Sequence, residues 1–130
     1  MLVNVSNHPS NTWQKKQRDA ASVYGDIVDL PFPPIPASAS ETDIRQLVEE
    51  YLSKITALHP EAVFTAGEYI FVYMLVDALS EYGIPVLCSA TDRIAEEKRM
   101  EDGSINKTIR FDFVRFRQYQ PYRKRLPVEQ

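Results

Sequence analysis

The chain has 130 residues, 44% of them hydrophobic and 25% charged, which excludes a disordered or fibrous protein and fits one globular domain. A net charge of −3 excludes a general electrostatic attraction to nucleic acids or anionic membranes. Cys88 is the only cysteine, and no leader-like or membrane-length apolar segment is visible. We therefore expect a cytoplasmic protein without disulfides and without membrane contact.

The first quarter of the chain predicts a strand, a helix and a second strand. Residues 2–6 are predicted as a strand that begins almost at the terminus. Residues 12–24 are predicted to form a helix that Thr12 caps and Gly25 ends. Residues 26–30 then predict a second, buried strand.

The middle of the chain predicts an extended loop and an amphipathic helix. The prolines of residues 31–36 favour a loop, because proline fits neither a central strand nor a helix interior. Ser40 with Asp43 three residues later approximates a capping box. Apolar side chains at helical spacing continue from there to Ile55, so a helix with one buried face is expected.

The alternation continues in the second half. Residues 62–65 predict a third strand, residues 69–82 a largely buried helix that Gly83 ends, and residues 84–88 a fourth strand. Strands and helices in strict alternation indicate a parallel sheet with helices packed on its faces.

The last part of the chain predicts a β-hairpin over about residues 93–117, because Asp102-Gly103 between two apolar runs is a strong hairpin signal. Val114 and Phe116 shift the alternation, which predicts a bulge or a change of the exposed face. An amphipathic helix over residues 94–100 is the alternative. The predicted fold class is α/β: a three-layer Rossmann-like sandwich whose parallel sheet of about four strands is extended by a C-terminal antiparallel β-hairpin. It forms a single domain over residues 1–119, followed by a polar tail over residues 120–130.

Polar residues follow three of the predicted strands, at the sheet edge where open parallel sheets bind ligands. The candidate ligand-binding residues are Ser6, Asn7 and Ser10 after the first strand, Gly67 and Tyr69 after the third, and Ser89, Ala90 and Thr91 after the fourth. The candidate catalytic residues are His8, Glu68 and Arg93. The competing interpretation is that these residues only cap turns and helices.

Two candidates suggest a chemistry. Glu68 suits a general base or nucleophile, as the only acid among small and apolar residues. Arg93 suits phosphate recognition, because a guanidinium pairs with two oxygens at once. Asp92 and Glu68 place negative charge where an anionic ligand is expected. His8 and His59 lack metal-ligand spacing, and the common nucleotide-binding motifs are absent, so no metal or cofactor is predicted.

A basic and aromatic segment closes the hairpin, with Arg115 and Arg117 interleaved with Phe116. Such a pattern can contact nucleic acid, but charge on an edge strand more often discourages aggregation. We therefore do not expect direct binding to a DNA or RNA duplex.

Three segments of the chain resemble parts of a known group. The opening LVNVSNHP of residues 2–9, the SATDR of residues 89–93 and the hairpin ending at residues 113–117 are similar to features of small CRISPR-associated proteins of the CARF-like and ring-nuclease type. The resemblance implies a role in antiviral defence, as a homodimer that binds a cyclic oligoadenylate across its two-fold axis.

Carried over residue by residue, the resemblance implies two sets of ligand contacts. Ser6, Asn7, His8 and Ser10 would line the ligand from one side, and Ser89, Thr91 and Arg93 from the other. Some members of the group cleave the ring without a metal, by attack of a ribose 2′-hydroxyl on the adjacent phosphate. Arg93 would then stabilise phosphate charge, and His8 would shuttle a proton.

Two alternatives stay open. The chain also resembles small nucleoside deoxyribosyltransferases, in which Glu68 would be the covalent nucleophile, assisted by Tyr69 or Asp92. Alternatively, it is a non-catalytic, dimeric interaction protein that uses the tyrosine-rich helix of residues 69–82 and the hairpin as contact surfaces.

Overall fold

The computed structural model describes residues 1–123, so the last part of the predicted tail, residues 124–130, lies outside the described residues. The five strands are β1 (Leu2–Val5), β2 (Ile27–Asp29), β3 (Ala62–Thr65), β4 (Val86–Arg99) and β5 (Ile105–Gln118). The three α-helices are α1 (Lys15–Ala21), α2 (Glu41–Leu58) and α3 (Tyr69–Glu81), and single 3₁₀ turns lie at Ser10–Thr12 and Ser22–Tyr24.

All five strands form one mixed sheet in the order β2-β1-β3-β4-β5. The first four are mutually parallel, and β5 is antiparallel to β4. This confirms the predicted α/β fold with four parallel strands and an antiparallel extension. From β1 the chain first crosses to β2 on one side, and it later crosses to β3 on the other side of β1. The topological switch point therefore lies between β1 and β3.

Helices cover both faces of the sheet. On one face, α2 and α3 pack on Val3, Val5 and Val63 in the larger buried cluster, in which Phe71 is fully buried. On the other face, Trp13 and α1 pack on alternate strand residues in a second buried cluster. Successive side chains of a strand point to opposite faces, so one sequence supplies both cores.

Two predicted boundaries need correction near the N-terminus. Thr12 does not cap α1: Ser10–Thr12 form a 3₁₀ turn, the Thr12 hydroxyl donates to the carbonyl oxygen of Pro9 at 2.7 Å, and Gln14 holds the N-cap position. The second strand is not buried either. It lies at the edge of the sheet, and two of its three residues are only half-buried.

The predicted start of α2 is confirmed. The Ser40 hydroxyl accepts from the Asp43 N–H at 3.1 Å, and the Asp43 carboxylate accepts from the Ser40 N–H at 3.0 Å. His59 ends the helix in the left-handed region, with a φ of 50°. This capping box fixes where the helix that packs against α3 begins.

The largest difference from the sequence prediction is that β4 does not end at Cys88. It pairs with β3 through Val86 and Leu87 only, and then continues to Arg99 with β5 as its partner. The helical alternative for residues 94–100 is therefore wrong. The predicted bulge is confirmed, because the register shifts between Ala90 and Thr91 and leaves Val114 as the extra residue on β5. We call the two-stranded part beyond Leu87, residues 88–117, the ribbon.

Candidate functional site

A cleft of about 300 Å³ opens on the α1 face, where β1 and β3 end beside the ribbon. It lies at the topological switch point, where open α/β sheets bind ligands. We call it the switch-point cleft. Its lining residues are His8, Thr12, Trp13, Gln14, Gln17, Phe64, Ala66, Ser89, Thr91, Phe111 and Phe113.

A buried amide holds the loop that follows β1. The Asn4 side-chain nitrogen donates to the carbonyl oxygen of His8 and to the Asp29 carboxylate, both at 2.9 Å. The Ser6 hydroxyl donates to the Asn4 side-chain oxygen at 2.7 Å. The Trp13 indole N–H also donates to the carbonyl oxygen of His8, at 2.9 Å. The backbone of His8 is therefore fixed, and His8 is one of the residues that line the cleft.

The predicted ligand-binding residues of the β1 exit are largely engaged in this loop. Ser6 is buried, and the Ser10 hydroxyl donates to the Asp29 carboxylate at 3.0 Å. Asn7 lines a separate depression of about 190 Å³, together with Phe32. Of the predicted residues in this segment, His8 reaches the switch-point cleft, while Ser6 and Ser10 hold the loop in shape.

Aromatic rings form the floor of the cleft. Trp13 packs edge-on against Phe64 with ring centroids 5.2 Å apart, and Phe113 packs edge-on against Phe116 at 5.0 Å. Trp13 and Phe113 are almost fully buried, whereas 58% of Phe111 is exposed. Phe111 is therefore the ring that offers a free surface at the rim of the cleft.

Gln14 fastens the ribbon to the start of α1. Its side-chain nitrogen donates to the carbonyl oxygen of Phe111 at 2.8 Å, and its side-chain oxygen accepts from the Phe113 N–H at 2.9 Å. Sequence reasoning missed this residue. Its partners lie 97 and 99 positions away, and no local pattern marks the contact.

The alternation of side chains along β4 divides the residues of its predicted exit between the two faces of the strand. Because residues 89–93 lie within β4, Ser89, Thr91 and Arg93 share the cleft's face, whereas Ala90 and Asp92 lie on the opposite face. The prediction that Ala90 contacts a ligand in this cleft is thus not supported, and the negative charge of Asp92 points away from it.

Arg93 is directly opposite Phe111 in the β4–β5 register. Within residues 1–123 it takes part in no ion pair. Neighbours across a strand pair have Cβ atoms about 5 Å apart. The rim of the cleft therefore carries the exposed ring of Phe111, and Arg93, which is not itself a lining residue, lies beside that ring on the same face of the ribbon.

The residues predicted at the exit of β3 do not lie with those of β1 and β4 at the switch-point cleft. Glu68 caps α3, with one carboxylate oxygen accepting from the Ile70 N–H at 3.1 Å and the other from the Phe71 N–H at 2.7 Å. The Gly67 backbone lies against the Phe32 ring and leaves no room for a Cβ there. Tyr69 is 88% exposed. None of these three residues lines the switch-point cleft.

Two negative findings apply to the described part of the chain. Over residues 1–123, no three His, Cys, Asp or Glu side chains come together in a way that could hold a metal ion. None of the helices described here has the length and apolar character needed to cross a membrane.

The fold and the cleft define a Rossmann-like α/β protein with a ligand-type cleft at its switch point. The chain belongs to the uncharacterized protein MJ1673 family, whose model matches residues 1–117. The match includes every element that forms the cleft and the whole ribbon. No curated protein matches the chain.

Proposed function

We propose that this protein binds a nucleotide signal, namely a cyclic oligoadenylate, in the switch-point cleft. The observation that carries the proposal is the pairing of Phe111 and Arg93 at the rim. An exposed ring provides a stacking surface for a base, and a guanidinium without an ion-pair partner among residues 1–123 provides a forked donor for the adjoining phosphate.

The rest of the cleft supports the same ligand class. The hydroxyls of Ser89 and Thr91 offer donors and acceptors for ribose or phosphate oxygens, and His8 lines the same cleft. The sequence resemblance of residues 2–9 and 89–93 favours a cyclic oligoadenylate over other nucleotides.

The size of the cleft supports a homodimer. At about 300 Å³ it lies at the lower end of small-molecule pockets, which span roughly 300–1,000 Å³. One cleft then holds one nucleotide unit, and a ring of several units needs two clefts related by a two-fold axis. In this proposal the protein is a cytoplasmic homodimer that acts in antiviral defence.

The proposal extends to ring opening without a metal. A ribose 2′-oxygen attacks the adjacent phosphorus, the bond from phosphorus to the 5′-oxygen breaks, and a 2′,3′-cyclic phosphate and a 5′-hydroxyl form. His8 accepts the proton of the 2′-hydroxyl and returns a proton to the leaving 5′-oxygen. Arg93 stabilises the charge that builds on the phosphate.

The deoxyribosyltransferase alternative has less support. A covalent nucleophile needs a free carboxylate oxygen facing the sugar. Both carboxylate oxygens of Glu68 accept backbone N–H groups of α3, and the residue does not line the switch-point cleft.

Trp13 provides a direct test of binding, because it is the only tryptophan and lies in the cleft. Titration with cyclic tetra-adenylate or hexa-adenylate should change its fluorescence and raise the melting temperature. Arg93→Ala should weaken binding about tenfold or more, since a charge-assisted contact is lost. Lys98→Ala removes a positive charge from the opposite face of the same strand and should leave binding unchanged.

Failure of both rings to alter fluorescence or melting temperature would refute the proposal. An equal loss of affinity in Arg93→Ala and Lys98→Ala would show that only general charge matters, and would remove the specific site.

Ring opening is tested separately, in the presence of EDTA. The wild-type protein should release a product ending in a 2′,3′-cyclic phosphate, and His8→Ala should slow this step while binding persists. His59→Asn, at the other histidine, keeps a residue that tolerates the left-handed conformation and should behave as wild type. A protein that binds the ring but never opens it is a receptor, and the nuclease part of the proposal then fails.

A further inference from the structure

Polar side chains line the switch-point cleft from two sides, α1 with the turn before it on one and β4 on the other. On the α1 side most of them are already engaged. The Thr12 hydroxyl donates to a backbone oxygen of its own turn, and both polar atoms of the Gln14 side chain bond to the backbone of β5. Gln17 is half-buried in the same lining, and its side chain makes no hydrogen bond within residues 1–123. The cleft therefore holds a carboxamide whose two polar atoms are both available.

An available carboxamide offers a ligand two different contacts at once. Its oxygen accepts a hydrogen bond, its nitrogen donates one, and the two atoms lie side by side. The hydroxyls of Ser89 and Thr91 each present a single oxygen, and the two nitrogens of His8 point apart across the imidazole ring. Among the described residues that line the cleft, Gln17 is thus the one suited to pair with a donor and an acceptor on neighbouring atoms of a ligand.

The position of Gln17 relates it to the ring at the rim. Gln17 lies one helical turn after Gln14, and side chains three positions apart on a helix are neighbours, with Cβ atoms about 5–6 Å apart. Gln14 reaches the Phe111 carbonyl at the outer edge of β5, whereas Arg93 lies across from Phe111 on β4, the inner neighbour. The ring of Phe111 therefore lies between Arg93 on one side and the α1 residues of the cleft on the other.

Attachment of the ribbon does not account for Gln17. The outward-facing carbonyl of Phe111 and N–H of Phe113 are both taken by Gln14. A half-buried amide beside them, without a partner in the described chain, is placed to contact what enters the cleft.

We propose that Gln17 is the specificity-determining residue of the cleft, and that its carboxamide reads the adenine of a nucleotide unit stacked on Phe111. The side-chain oxygen accepts from the N6 amino group of adenine, and the side-chain nitrogen donates to the ring nitrogen beside it. The phosphate of the same unit lies on the other side of the ring, towards Arg93. This inference rests on the proposed function and names the group that selects the base.

The chemistry of the two purines favours adenine. Adenine carries an acceptor nitrogen on each side of its amino group, N1 and N7, so it fits the carboxamide from either side. Guanine has an oxygen in place of that amino group, and with N7 beside it offers two acceptors and no donor. Guanine therefore fits from the N1 side only, after the carboxamide turns over.

The contact is tested by removing each partner in turn. The probes are adenosine 5′-monophosphate and purine riboside 5′-monophosphate, which is the same nucleotide without the amino group. Their dissociation constants are measured by NMR from the indole N–H signal of Trp13, the only tryptophan. The wild-type protein should bind the adenine nucleotide about tenfold more tightly, because a site that pairs with an amino group discriminates against a ligand that lacks it.

In Gln17→Ala the two nucleotides should bind equally, with the affinity that the wild-type protein has for the purine nucleotide or less. A wild-type protein that does not distinguish the two nucleotides, or does not bind the adenine nucleotide, would overturn the inference. So would a Gln17→Ala variant that keeps the wild-type ratio, since the amino group is then read elsewhere.

A change of preference guards against misfolding of the variant. A guanidinium only donates, and it pairs with O6 and N7 of guanine but meets an amino group in adenine. Gln17→Arg should therefore bind guanosine 5′-monophosphate more tightly than adenosine 5′-monophosphate, the reverse of the wild-type order. Val23→Arg adds the same charge just beyond α1, at a position that is 79% exposed and outside the lining, and should keep the wild-type order. If Gln17→Arg still prefers adenine as Val23→Arg does, Gln17 does not select the base.

Titration of the wild-type protein with cyclic tetra-adenylate and hexa-adenylate is scored separately. A protein that selects the adenine nucleotide through Gln17 but ignores both rings keeps this inference and refutes the ring as the ligand. A protein that binds a ring while its Gln17 variants discriminate bases as the wild type does keeps the proposed function and rejects the role of Gln17.

Discussion

The ribbon and the rest of the domain, residues 1–87, use similar apolar side chains in different surroundings. All four residues of β1 and all four of β3 are buried between helices. In β5, by contrast, Phe113 is the buried residue among fourteen, although Ile105, Ile109 and Phe111 are as apolar as the core. Local apolar pattern therefore specifies the strand in both regions, while burial depends on whether another layer lies over it.

This difference separates two roles within one sheet. The parallel strands hold the fold together, because helices cover both of their faces. The ribbon presents side chains at the cleft, with the Gln14 contact as its attachment to α1. Substitutions in the two regions should therefore have different consequences, for stability in one and for binding or association in the other.

The largest contrast is expected between two phenylalanines. Phe71 is fully buried and packs edge-on against Phe32 and Tyr51 at 4.9 and 5.5 Å. Phe71→Ala should lower the free energy of unfolding by about 3–5 kcal/mol. Phe111→Ala should lower it by about 0.5 kcal/mol or less, because the ring is mostly exposed. Urea unfolding in dilute protein, where association does not contribute, measures both. Equal losses would mean that the ribbon belongs to the core.

A smaller, local effect is expected at the attachment of the ribbon. Gln14→Ala removes two hydrogen bonds and should cost about 1 kcal/mol in local opening. Amide hydrogens of residues 105–113 should then exchange about fivefold faster, while those of β1 and β3 stay protected. Gln17→Ala, one turn further along α1, is the matched control. Uniform acceleration in all strands would contradict a local role for Gln14.

The smallest effect is a pH dependence at the ribbon tip. Hydrogen bonds from the Ser104 hydroxyl and N–H hold the pKa of the Asp102 carboxyl below its ordinary value of 3.8. Because the folded pKa is lowered, the carboxylate supports the turn fully above 3.8, and this support is lost as the pH falls through the folded value. An NMR titration should show Asp102 titrating below 3.8 and Ser104→Ala returning it part of the way. A wild-type pKa at or above 3.8 would contradict the hydrogen bonds at the turn.

The sequence allowed most of the fold to be predicted, because its signals are local. The capping box at Ser40, the third strand, the Asp102-Gly103 turn and the bulge at Val114 all follow from neighbouring residues. The uninterrupted β4 was missed, because Ser89 to Arg93 have the polar character of a loop when read in isolation. Pairing with β5 keeps that segment extended, and this pairing depends on residues 18 to 27 positions away.

The location of the cleft was predictable from the sequence, but the full set of residues that line it was not. The cleft lies at the edge of the sheet where the sequence predicted polar strand exits. Which side chains face the cleft depends on strand phase, and that phase places Ser89 and Thr91 in its lining, Arg93 farther along the same face and Ala90 on the other face. The role of Gln14 depends on partners far along the chain, for which a single sequence gives no signal, whereas the capping role of Glu68 is the competing interpretation that the sequence offered.

The Gln14 contact also affects how the sheet can grow. β5 is the last strand of the sheet, and an exposed last strand is an open template for a strand from another chain. The carboxamide of Gln14 occupies the peptide groups of Phe111 and Phe113 that such a strand would pair with. An incoming strand is thereby blocked at the centre of the outer edge of β5. Uncontrolled edge-to-edge polymerisation is discouraged at the place where the ribbon is most apolar.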